Sequence, residues 1–203
     1  MTPVSVLFFR YKNTKQYNPA TATIPRAYIH FAAPGYDQTK QPVLPTRIEV
    51  EEVMLGMAYP SGQPIKIARS ALTKEGRFPR DVGIVRLMNT AKNFDFLNVP
   101  EEYGNQSKNS FYAGQLGPFR RYVDYAAADA YYKIGARGIR RITCMTAPDQ
   151  AIAVQKCSYS VVLNEAVWAE MSFPDFRVNG GLSFAEDRVR AITETLCKFV
   201  KCD

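Results

Sequence analysis

Proline and glycine interrupt the middle of this chain so often that no long regular element fits there. The sequence of 203 residues contains 13 Pro and 12 Gly, and breaks such as Pro60, Pro79, Pro100, Gly104 and Gly117 recur through the middle third. Proline removes a backbone donor, and glycine weakens both helices and strands. Residues 60–117 are therefore predicted to be rich in loops, with short elements between the breaks.

The first third of the chain has the composition of strands. Residues 4–11 and 26–32 are rich in β-branched and aromatic side chains, which predicts two strands. Within the loop-rich middle, Val82, Val85 and Met88 recur every three residues and predict a short helix over 81–91. Residues 1–117 thus form a part made mainly of strands and loops.

The last third has longer periodic segments. An apolar stripe with spacings of four, four, four and three residues predicts a helix over 118–134, ended by the glycines at 135 and 138. A strand is predicted over 139–145. The residues of the stripe are Phe119, Val123, Ala127, Tyr131 and Ile134.

The clearest element is a helix over 183–200. Ser183 and Glu186 have the spacing of a capping box. The apolar stripe that follows is typical of a core-facing helix, with a partner-binding groove as the alternative: Val189, Ile192, Leu196 and Val200. The predicted fold class is α+β, a small sheet with two or three helices and long irregular segments. The chain is predicted to form a single domain over 1–203, in which residues 118–203 are the more helical part.

No constellation of catalytic residues stands out in the sequence. His30 is the one histidine, which excludes metal sites built from several histidines, and no glycine-rich phosphate loop is present. Asp124 and Asp129 lie five residues apart and would not share a helical face. A non-catalytic role is therefore predicted, with no metal and no cofactor.

The four cysteines have no metal-binding spacing. Cys144, Cys157, Cys197 and Cys202 form no CxxC motif, and no histidine lies near them. A chain of this length can bury a core without cross-links. The cysteines are interpreted as free thiols in a reducing compartment, with disulfides as the alternative.

Positive charge is concentrated in one segment. The chain has a formal charge of +7, and residues 66–92 hold seven basic residues against two acidic ones. Such a face attracts an acidic protein or nucleic acid, and a solvated face without a partner is the alternative. The predicted partner-binding residues here are Lys66, Arg69, Arg77, Arg80 and Arg86.

Aromatic residues also lie next to basic residues in the last third, as in Phe-Arg-Arg-Tyr over 119–122, and tyrosine and arginine dominate the energetics of protein interfaces. Tyr122, Tyr125, Arg140 and Arg141 are predicted to be partner-binding anchors. Packing of the tyrosines at the rim of the core is the alternative.

Residues 122–143 carry a pattern known from one family. They begin Tyr-Val-Asp-Tyr at Tyr122, continue with Tyr131 and Ile134 on the predicted helix, and reach the basic strand Ile-Arg-Arg-Ile-Thr after Gly138. This pattern resembles the small linker domain of phycobilisome rod and core linkers. It departs from that family at Asp124, where the family has proline, and in its single glycine.

The resemblance implies a basic linker that joins acidic phycobiliproteins by contact. It implies an intracellular location at the thylakoid surface, on its cytoplasmic or stromal side. Since some linkers of the gamma type carry a bilin on cysteine, it also allows a bilin on one of the four cysteines.

Two other classes of function stay open from the residues alone. One is a basic structural protein of the nucleic-acid-binding or virion type, and the other is an enzyme whose site the sequence does not reveal.

No apolar run is long enough for a spanning helix, and residues 1–10 lack the basic lead of a cleaved signal peptide.

Overall fold

The computed structural model describes the chain over 3–8, 20–33, 36–37, 46–65, 81–89, 110–124, 128–133, 138–145 and 156–203. These ranges contain thirteen strands, one α-helix and two short 3-10 turns. The first seven strands are β1 Pro3–Phe8, β2 Ala20–Pro25, β3 Ile29–Ala33, β4 Tyr36–Asp37, β5 Arg47–Val50, β6 Glu52–Ala58 and β7 Val82–Asn89. The remaining elements are β8 Ser110–Leu116, β9 Phe119–Asp124, β10 Ala128–Lys133, β11 Ile139–Met145, β12 Lys156–Val162, β13 Val167–Pro174 and α1 Gly181–Leu196, with 3-10 turns at Arg26–Tyr28 and Phe176–Val178.

The strands form two sheets. The larger sheet has ten strands in the order β4-β3-β6-β7-β13-β12-β11-β10-β9-β8, and every neighbouring pair is antiparallel. The smaller sheet has the order β2-β1-β5, with β1 and β5 parallel. The large sheet takes strands from both 1–117 and 118–203.

One face of the large sheet, here called the inner face, carries the core. Side chains that alternate along its strands, such as Leu55, Val85 and Met171, are fully buried there. Helix α1 packs on this face, because a Cβ added at Gly83 would lie 3.0 Å from Phe173 Cε1 and 3.6 Å from Ile192 Cδ1. The opposite side of the sheet is called the outer face.

The predicted α+β class is wrong, since the described chain is mostly β. The predicted helix over 118–134 is instead the antiparallel pair β9 and β10. A spacing of four residues also keeps side chains on one face of a strand, so Phe119 and Val123 share the inner face of β9. Tyr131 lies on the same face because it pairs with Arg121. Polar Arg121 and Asp129 lie on that face as well and hide the alternation.

The helix predicted over 81–91 is also wrong, since residues 82–89 form β7. This strand lies inside the large sheet between β6 and β13, and side chains on both of its faces are buried or half-buried. A strand buried on both sides shows little alternation of apolar and polar residues. The three-residue spacing of Val82, Val85 and Met88 could therefore be mistaken for the period of a helix.

Two of the predicted elements are confirmed. The strand over 139–145 has those bounds. The final helix exists but ends at Leu196 and not at 200; it buries Val189, Ile192 and Leu196, and Val200 is buried beyond its end. The capping box does not form, because α1 begins earlier and Gly180 is its N-cap with φ 107°. The Ser183 hydroxyl instead donates to the Gly180 carbonyl at 3.2 Å.

All four cysteines are paired, so the free-thiol interpretation is wrong. Cys144–Cys157 joins β11 to β12, and Cys197–Cys202 closes a short loop just after α1.

Within the described ranges, no helix has the length and apolar character needed to cross a bilayer.

Leu196 tests the placement of α1 on the core, since its side chain is fully buried. We expect Leu196→Ala to lower the free energy of unfolding by about 2–5 kcal/mol, through lost transfer energy and the cavity left behind. Chemical denaturation monitored by circular dichroism measures this. The exposed Lys198 supplies the control, since Lys198→Ala should stay within about 0.5 kcal/mol of the parent. Equal stabilities of the two variants would contradict the packing of α1.

Candidate interaction surface

A row of aromatic rings crosses the outer face of the large sheet near its β8 end. The ring centroids of Tyr112 and Tyr122 are 5.6 Å apart, and those of Tyr122 and Tyr132 are also 5.6 Å apart, both in edge-to-face geometry. The Arg141 guanidinium carbon lies 5.3 Å from the Tyr132 ring centroid. This tyrosine ladder, Tyr112–Tyr122–Tyr132–Arg141, spans strands β8, β9, β10 and β11.

The register of the strands builds the ladder. Tyr112 lies directly opposite Tyr122, and Tyr132 lies directly opposite Arg141. Between them, Tyr122 faces the small side chain of Ala130, which leaves room for the Tyr132 ring to reach it diagonally. Edge-to-face pairs of this kind add about 0.5–1.5 kcal/mol each beyond their buried area.

Exposure rises steeply towards the end of the ladder. Tyr122 and Tyr132 are buried, whereas Tyr112 is 57% exposed. Phe111, on the other face of β8, is 56% exposed, and Leu116 is also exposed. Strand β8 is the last in the sheet order and bears large apolar side chains on both faces. The accessible part of this region is therefore β8, and the buried tyrosines support it from behind.

An ionic network centred on the buried carboxylates of Asp129 and Asp175 lies behind the ladder on the inner face. The Asp129 carboxylate accepts hydrogen bonds from Arg121 Nε at 3.0 Å and Nη2 at 2.9 Å, and it pairs with the Arg177 guanidinium on its other oxygen. Arg177 also donates from Nε to both carboxylate oxygens of Asp175 at 3.0 Å. The network ties β9 and β10 to the 3-10 turn that precedes α1.

Burial and charge shift the pKa values around this network. Burial acts to lower the pKa of Arg177, but the hydrogen bond and negative charge of Asp175 outweigh it and raise the pKa. Burial raises the pKa of Tyr131, and the charge of Asp129 adds to this rise. Burial also raises the pKa of Tyr159 far above its ordinary value, again with a contribution from the Asp175 charge.

One group of side chains has the composition of a metal site but cannot act as one in this form. Cys144 Sγ, Cys157 Sγ and a carboxylate oxygen of Asp175 lie within 4.8 Å of one another, all buried. The thiolate is the metal-binding form of cysteine, and these two sulfurs are joined in a disulfide. The group is therefore a packing contact between the cross-link and the ionic network.

The structure brings together only some of the predicted binding residues. Lys66, Arg69, Arg77, Arg80 and Tyr125 lie outside the described residues. Tyr122 and Arg141 belong to one ladder, and Arg140 lies at the irregularity in β11 between Ile139 and Arg141.

Arg86, the remaining predicted contact of the basic segment, is already ion-paired. Its guanidinium lies 2.9 Å from Glu52 and 3.8 Å from Glu170 on the two neighbouring strands. This cross-strand arrangement compensates the positive charge of Arg86 within the sheet. Its contribution to attracting an acidic macromolecule is correspondingly reduced.

Sequence reasoning missed the most exposed residues of this surface, Phe111 and Tyr112. A signal was available, since residues 110–119 contain no charged side chain although they include three aromatic residues. The network of Arg121, Asp129 and Arg177 was also missed, because Arg177 lies 48 positions from Asp129 in the sequence.

Comparisons of the chain with protein-family models, with curated proteins and with solved structures give no significant match. The resemblance of residues 122–143 to the phycobilisome linker domain implied a helix carrying Tyr131. In the structure Tyr131 lies on strand β10, and Tyr122 lies on strand β9.

The pKa of Tyr159 makes a prediction about alkaline stability. A folded-state pKa above the ordinary value of 10.0 favours the protonated phenol in the native protein. The resulting stabilisation is complete below pH 10.0 and is lost as the pH rises above it, because the unfolded chain then ionises more readily. Tyr159→Phe should therefore weaken the fall in melting temperature between neutral pH and about pH 11. Tm measured against pH for both proteins checks this, and identical slopes would contradict the burial of the phenol.

Proposed function

We propose that the protein works by contact, as a non-catalytic structural component of an assembly, and that strand β8 and its neighbours bind an acidic protein partner. The observation that carries the proposal is the pair of exposed rings on β8, Phe111 and Tyr112, at the end of a ten-stranded sheet. The ladder residues Tyr122 and Tyr132 hold Tyr112 in place from behind.

The edge strand offers two kinds of contact. Within the described part of the chain, β8 pairs only with β9, so its other side presents backbone donors and acceptors to a partner strand. A partner that adds a strand there gains main-chain hydrogen bonds, and the exposed side chains supply specificity. Aromatic residues held rigidly by packing lose little side-chain entropy on binding, which suits them as anchors.

Basic side chains next to the edge favour an acidic partner. Arg120 is exposed on β9, and Arg140 and Arg141 are half-buried on β11. The acidic Asp129 in this region is buried and engaged by Arg121 and Arg177. The surface that a partner meets is therefore apolar along β8 and positive beside it.

The proposal does not depend on the phycobilisome resemblance. It rests on the exposed edge strand β8, whereas the resemblance rests on residues 122–143 and implies a helix there. A bilin attached to cysteine is not part of it, since all four cysteines are in disulfides. Those disulfides favour an oxidising compartment over the intracellular location expected from the sequence. Nucleic-acid binding is the second candidate, and Arg120 on β9 with Arg140 and Arg141 on β11 supports it through charge alone.

A photo-cross-linking amino acid at position 112 tests the proposal. We expect it to capture a protein of low isoelectric point in cells that make this chain natively, because Tyr112 is exposed on the outer face of the edge strand β8. The control places the same amino acid at Val178, an exposed apolar position in a 3-10 turn and not on β8, where no capture of that protein is expected. Mass spectrometry identifies the adduct.

The captured partner then allows a quantitative measurement. Phe111→Ala with Tyr112→Ala should weaken binding by about 2 kcal/mol or more, whereas Val178→Ala should leave it unchanged. Arg120→Glu should weaken binding and flatten its salt dependence. Adducts with nucleic acid, equal capture at both positions, or turnover of a small substrate by the isolated protein would each contradict the proposal.

A further inference from the structure

A cavity of about 490 Å³ lies between helix α1 and the inner face of the large sheet, on the opposite face of β9 and β10 from the tyrosine ladder. Its floor is apolar, formed by Phe119, Ile139, Val161, Leu163 and Val189, all of them buried. This volume and this lining are typical of sites that bind small organic molecules.

The rim of the cavity has the opposite charge from the chain as a whole. Glu186, Glu194 and Asp203 line the opening, and none of their carboxylates has an ion-pair partner among the described residues. Of the two basic residues at the rim, Arg190 is paired with Asp187. Among the described residues of the rim, three carboxylates therefore face two basic side chains, and this part of the rim is net negative on a chain whose formal charge is +7.

The segment after α1 fixes the shape of the opening. The Cys197–Cys202 disulfide lines the cavity and closes this segment into a loop. The Asp203 amide donates to the Leu163 carbonyl at 3.0 Å, and the Asn164 side chain donates to the Lys201 carbonyl. The opening is therefore preorganised, which lowers the entropic cost of binding.

We propose that this cavity binds a cationic amphiphile, a small molecule with an apolar body and one ammonium or guanidinium group. The apolar body would lie on the floor formed by Ile139, Val161 and Val189. The cation would lie at the rim beside Glu186 and Glu194, where burial of its apolar body brings it close to two carboxylates. This binding site is independent of the contact function proposed for β8.

Isothermal titration calorimetry with three probes of equal chain length tests the proposal on the intact, oxidised protein. The probes are decylamine, decanol and decanoate, each kept below the concentration at which it aggregates. We expect decylamine to bind at one site, about tenfold more tightly than decanoate, because the rim attracts one headgroup and repels the other.

Two variants separate the contributions of the floor and the rim. Thr193→Phe places a ring in the cavity and should abolish binding of decylamine. Glu186→Gln with Glu194→Gln should remove most of the preference for decylamine over decanoate. Glu49→Gln removes one carboxylate on the small sheet, outside the cavity, and should change neither.

Methyl NMR of the parent protein keeps the test independent of how well the variants fold. Decylamine should shift the methyl resonances of Val189 and Ile139 and leave those of Val4 and Ile24, on the small sheet, in place. The absence of saturable binding, methyl shifts confined to other parts of the chain, or equal affinity for decanoate and decylamine would overturn the proposal.

Discussion

The β8 end of the large sheet depends on the ion pairs that the buried Asp129 carboxylate makes with Arg121 and Arg177. This carboxylate is almost inaccessible to solvent and is held between Arg121 on β9 and Arg177 in the turn before α1. Without this carboxylate, Arg121 would lose its link to β10, and Arg177 would keep Asp175 as its acidic partner. A change at Asp129 would therefore loosen β9 and β10 from the turn that leads into α1.

This ionic network and the tyrosine ladder occupy opposite faces of the same strands. On β10, Asp129 and Tyr131 point to the inner face, while Tyr132 points to the outer face and joins the tyrosine ladder. Inner contacts therefore fix the backbone positions from which the ladder supports Tyr112. The same arrangement leaves β8 at the end of the sheet, where it can meet a partner, and leaves the cavity beside α1 as a separate feature.

Sequence patterns identified those elements whose own residues determine their secondary structure. The amphipathic stripe of α1 and the strand over 139–145 needed only their own residues. The strands β9 and β10 were mistaken for a helix because Arg121 and Asp129 are polar positions on a core face, and their stabilising partner Arg177 is distant in sequence. The uncharged run over 110–119 marks β8 as unusual, but no local pattern gives the order of strands in a sheet. Its position at an edge, and hence its exposed rings, required the structure.

Hydrogen exchange of Asp129→Asn tests this account most directly, because it reports on each strand separately. If the buried carboxylate holds the β8 end, amides of β8, β9 and β10 should lose protection while those of β6 and β7, on the far side of β13, keep theirs. The charge-retaining Asp129→Glu should restore part of that protection. Unchanged protection of β8, β9 and β10 in Asp129→Asn, or an equal loss across the whole sheet, would contradict the central role given to Asp129.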